Sequence, residues 1–135
     1  MANDPQYGHT VHMRGVPFET ARTRTIDALK DQGFGVLTEI DVKSTMKAKL
    51  DRDFRRYVIL GACNPQLAWR ALSAELPVGL LLPCNVCVWE EEGGSVVSAI
   101  RPRSMFSVMQ DRPELEPVAT EADERIRRAL DQLQK

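Results

Sequence analysis

The sequence predicts an α+β fold: a largely antiparallel sheet of about five strands, covered on one face by helices. Three observations carry that prediction. Gly93-Gly94 joins two strand-like runs, the mark of a β-hairpin. Val118, Ala122, Ile126, Ala129, Leu130 and Leu133 form one apolar stripe at helical spacing near the C-terminus. Between the termini, strand-like and helix-like segments follow one another with mixed connections, so no repeated βα unit dictates a parallel sheet.

The elements follow in order. Tyr7–Gly15 reads as a strand that stops at the glycine. Pro17 suits the first turn of a helix, because its missing N–H lies where no intrahelical bond is made. Phe18, Ala21, Thr25, Ile26 and Leu29 recur at helical spacing, and Gly33 is the expected C-terminal stop. Over 34–42 the residues alternate. Phe34, Val36, Ile40 and Val42 fall on one side, with Gly35, Glu39 and Asp41 on a wet face. Met46 and Leu50, four apart, suggest a short helix over 43–52. Tyr57–Ala62 is continuously apolar, as an interior strand would be. Asn64-Pro65 then supplies an N-cap and a first helical residue, with Leu67, Ala68, Ala71 and Leu72 facing the core and Pro77 beyond the end. Pro83–Glu91 and Ser95–Arg101 are the hairpin strands. Met105–Met109 is one helical turn before the final helix.

At 135 residues the chain fits one domain over 7–135 after a loose terminus at 1–6, and 43% hydrophobic content can fill a core. A formal net charge of −1 removes the basic surface that nucleic-acid binding by counterion release requires. It gives no pull toward an anionic membrane either. The apolar run Val78–Leu82 is too short to span a bilayer. Three cysteines without an export signal point to reduced thiols and a cytoplasmic setting rather than a disulfide framework.

Several constellations could carry chemistry. Cys84-Asn85-Val86-Cys87 spells C-x-x-C, but within a strand the two thiols face opposite ways, with Cα atoms roughly 10 Å apart. A disulfide needs less than about 7 Å, and no second pair completes a zinc site. Cys87 therefore reads as apolar filler. Cys63 stands where a strand ends and a helix begins, where unpaired N–H groups favour the thiolate. The alternative is a small hydrophobe plugging that corner. Lys43, Lys47, Lys49, Arg52, Arg55 and Arg56, against Asp51 and Asp53, offer an anion site or an ordinary solvated surface. Glu39 and Asp41, two apart on a strand, allow paired acid–base work or are plain surface carboxylates. His9-x-x-His12 lacks a third ligand, so no metal site is assigned.

The stretches Gly33–Val42, Tyr57–Pro65 and Leu80–Val86, with Ser98-Ala99-Ile100 and the charged helix after it, resemble domain-of-unknown-function family 302. The similarity runs from about Tyr7 to Leu133. It implies a curved antiparallel sheet wrapped against helices, of the TATA-binding-protein-like or helix-grip kind, and a homodimer. It also places the family's two motif cysteines on Cys63 and Cys84, beside Asn64 and Asn85, while Cys87 is an extra of this chain. No activity and no cofactor come with the resemblance. The sequence therefore leaves three readings open. One is a small-molecule site, for an anionic or thiol-reactive ligand, at Cys63, Asn64, Cys84 and Asn85. Another is a thiol enzyme or sulfur carrier using Cys63, with Cys84 as partner. The last is a dimeric interaction protein without catalysis.

Overall fold

The computed structural model describes residues 4–109 and 112–134. Strands β1 (Gly8–Arg14), β2 (Gly35–Asp41), β3 (Tyr57–Cys63), β4 (Cys84–Glu91) and β5 (Gly94–Ile100) form one open antiparallel sheet in the order β1-β5-β4-β3-β2. Consecutive strands from β2 to β5 are neighbours. Only β1 lies out of sequence, beyond β5 at the opposite edge from β2. The chain between β1 and β2 must therefore cross the whole sheet, and helix α1 (Phe18–Asp31) is that crossing.

Helix α1 buries Phe18, Ala21, Thr25, Ala28 and Leu29, close to the predicted stripe. It ends where Gly33 takes φ +84, a conformation glycine adopts without strain. Helix α5 (Glu116–Gln132) lies beside α1 and buries Val118, Ala119, Ala122, Ile126, Ala129 and Leu130. Both pack on the side of the sheet bearing Val58, Leu60, Val86, Val88, Val97 and Val11, and all of these belong to one core. The other side of the sheet carries Thr10, Ser98, Cys87 and Ile59 in one row, and His12, Val96, Trp89 and Tyr57 in the next. On it, the Tyr57 and Trp89 rings stack 5.4 Å apart.

Asn64 caps helix α3 (Pro65–Ala74): its side-chain oxygen accepts the Leu67 N–H at 3.1 Å. Leu67 and Ala71 are buried, whereas Leu72 lies at the surface with Trp69, because the helix rests on the core by one narrow stripe. A 3₁₀ segment at Leu76–Leu81 follows, and a short helix, α4 (Pro102–Phe106), lies between β5 and α5. The hairpin turn is Glu92-Gly93, one residue earlier than the glycine pair suggests: Gly94 already pairs with Glu91 and opens β5. A side chain at Gly94 would lie 2.4 Å from the Met13 carbonyl oxygen, so the close approach of β1 requires glycine.

Two expectations are corrected. Met46 and Leu50 do not anchor helix α2 (Val42–Leu50), which buries no residue; Leu50 is solvent-exposed. The alternation over 34–42 breaks at Leu37. Val36 pairs with Ala62 but Thr38 pairs with Gly61, so Leu37 is an extra residue and β2 is bulged. A bulge reverses every side chain after it. Glu39, opposite Leu60, and Asp41, opposite Val58, therefore face the helix side, while Ile40 turns outward.

Candidate functional site

The residues flagged by sequence divide between two places. Strand β3 delivers Cys63 to the start of α3, and its neighbour β4 sets Cys84 opposite Ala62. Cys84 is buried on the helix side, and alternation along β3 puts Cys63 on the other side from Ala62. Cys63, Asn64 and Cys84 wall one crevice with Phe34, Leu67 and Phe106. Its volume is about 30 Å³, enough for about one or two waters. Burial pushes the Cys63 thiol up, and pushes Cys84 up to about 12, with the neighbouring Cys63 adding to the effect. The helix start does not overcome this desolvation. Both sulfurs are free thiols. Asn64 is committed to its cap. Asn85 points away from the crevice into a separate apolar groove of about 420 Å³, beside Leu82, Pro83 and Ile100. Cys87 stands on the helix-free side, where burial raises its thiol and neighbouring Tyr57 works against the rise.

The two histidines leave β1 on opposite sides. His9 reaches Asp123 of α5 at 3.0 Å and His12 reaches Asp4 at 3.0 Å, so each serves a different carboxylate.

A larger hollow opens between the first turns of α1 and the β2–β3 edge. It encloses about 340 Å³ and is lined by Phe18, Glu19, Arg22, Glu39, Asp41, Lys43, Arg56, Tyr57 and Val58. Two constellations that look unrelated in the sequence, the Glu39/Asp41 pair and the basic segment after it, meet here. Arg22 donates to both oxygens of Glu39 through Nε and Nη2. That bidentate contact holds the Glu39 carboxyl below its ordinary value and the guanidinium above its own. Arg56 donates to Glu19 at 2.7 Å, with its guanidinium carbon 4.6 Å from the centre of the Phe18 ring. Asp41 caps α2 by accepting the Ser44 N–H at 3.0 Å. Lys43 donates to the Phe54 carbonyl at 3.0 Å and has no carboxylate in ion-pairing range among the described residues.

The family model described as "Domain of unknown function DUF302" matches residues 9–133. The chain belongs to this family. A solved relative, described as "uncharacterized conserved protein DUF302 from Bacillus stearothermophilus", is 32% identical. The match covers 95% of this chain and 98% of that one, with a TM-score of 0.85. No curated protein matches the sequence. No described helix is long and apolar enough to cross a membrane.

The thiol crevice and the charged cleft of this DUF302 domain differ in what they can do. The thiol crevice is apolar and smaller than any metabolite. The charged cleft reaches the size range of small-molecule sites, which begins at about 300 Å³. Arg22 and Glu19 were not flagged by sequence, and Phe18 was read only as part of an apolar helix stripe. Arg22 stands three residues after Glu19 and four after Phe18 on α1, an ordinary helical pattern, and nothing local says that a bulge in β2 will turn Glu39 toward Arg22.

Proposed function

We propose that this DUF302 domain is a binding module for a small anionic molecule, and that the ligand sits in the cleft between α1 and the β2–β3 edge. The observation that carries this reading is Lys43. Lys43 lines a metabolite-sized hollow, and among the described residues its ammonium group is held only by a neutral carbonyl. Arg56 stands on the same wall, sharing one nitrogen with one oxygen of Glu19. A carboxylate or phosphate placed between them would gain two charge-assisted contacts, while Phe18 and Val58 would cover its apolar part.

Calorimetric titration with butyrate, succinate and inorganic phosphate tests the proposal. At least one should bind at low salt, and Lys43→Gln or Arg56→Gln should weaken it about tenfold. Wild-type protein that takes up none of the three overturns it.

The Cys63 thiol reading has less support, since burial raises both thiols and the crevice they line holds only about 30 Å³. It would return if Cys63 alkylated faster near neutrality than free cysteine. The homodimer implied by the family resemblance is part of the proposal too; a sedimenting mass of 15.2 kDa, that of one chain, would refute it.

A further inference from the structure

The cleft is not lined by cations alone. Asp41 and Glu19 share its wall with Lys43 and Arg56, and their bonding is incomplete. Oδ1 of Asp41 accepts the Ser44 N–H, and Oε1 of Glu19 accepts from Arg56. The second oxygen of each has no hydrogen-bond donor among the described residues. Glu39 differs, because both of its oxygens are taken by Arg22. The open groups are thus donors on Lys43 and Arg56 and acceptors on Asp41 and Glu19. A simple dianion would bring a second charge against two carboxylates, and a simple amine would meet two cations.

Resting on the reading of this cleft as a ligand site, we infer that the ligand is amphoteric: a molecule of amino-acid type, carrying both a carboxylate and an ammonium group. Its anionic end lies on Lys43 and Arg56. Its cationic end lies on Asp41, which lines the same cleft. The β2 bulge is what makes this possible, since without the extra residue at Leu37 the Asp41 carboxylate would face away from the helices.

The test is calorimetric titration with glycine, 4-aminobutyrate and 6-aminohexanoate, compared with butyrate and butylamine. Wild type, Asp41→Asn and Lys43→Gln are measured side by side. Asparagine caps a helix as well as aspartate does, so Asp41→Asn keeps α2 in place while removing the charge. One of the amino acids should bind roughly tenfold tighter than butyrate. Asp41→Asn should abolish that advantage without weakening butyrate, whereas Lys43→Gln should weaken both. Butyrate binding with no gain for any amino acid, or a gain that survives Asp41→Asn, overturns the amphoteric ligand and leaves the anion site standing. Failure of every carboxylate and of inorganic phosphate to bind overturns the site itself.

Discussion

The dryness of the thiol crevice can be measured through its effect on alkaline stability. Cys84 is buried, and its thiol is pushed from 9.0 up to about 12 in the folded chain. In the unfolded chain the thiol ionises near its ordinary value. The folded state therefore holds a proton that the unfolded state releases above pH 9. The sign follows directly. Below pH 9 both states are protonated and the group costs nothing; between pH 9 and about 12 each pH unit favours unfolding by about 1.4 kcal/mol. At pH 11, two units into that window, the loss from this one group reaches about 3 kcal/mol, a large part of a small domain's stability. Urea unfolding at pH 8, 9, 10 and 11 measures it, on wild type and on Cys84→Ala. Lysines and tyrosines titrate equally in both proteins, so the difference in slope isolates Cys84. Wild type should lose stability more steeply by about 3 kcal/mol over the range. Parallel slopes would show that water reaches the thiol, and the argument for a sealed crevice would collapse.

Two further predictions concern the elements that shape the sites. Gly61→Ala would bring a methyl group 2.2 Å from Thr38 Oγ1 and 2.8 Å from Pro83 Cγ, at the register shift of β2. It should cost about 1–3 kcal/mol by urea unfolding, and a fully stable variant would mean that β2 is not held as tightly against β3 as the register implies. Asn64→Ala removes the cap of α3 and should cost about 1 kcal/mol, whereas Asn64→Asp should retain nearly all stability. An equal loss in both would show that Asn64 acts through something other than its side-chain oxygen.

Local rules were enough where the cause of structure is local. Asn64-Pro65 names its own helix start, because a side-chain oxygen and a missing N–H act within one turn. The α5 stripe names its buried face, because helical spacing repeats regardless of what covers it. The apolar run at Tyr57–Ala62 names an interior strand, and it lies between β2 and β4. Whether Cys63 and Cys84 stand together was not legible, because strand neighbours are decided by the sheet. Nor was it legible that the crevice both residues line would be hydrocarbon-lined and almost closed, because its size depends on Phe34, Leu67 and Phe106 arriving from other parts of the chain.

Sequence alone determined that this chain builds an antiparallel sheet with helices on one side, since turn chemistry and hydrophobic period are properties of a few neighbouring residues. Tertiary structure alone decided the charged cleft. One unpaired residue at Leu37 shifts the register of β2 against β3, and because side chains alternate with period two, that shift carries Glu39 and Asp41 from one face of the sheet to the other. Crossing of the sheet by α1 then sets Arg22 above Glu39, seventeen residues away in the chain. Register belongs to a pair of strands and not to either one, which is why the strand could be read from its residues and its facing could not.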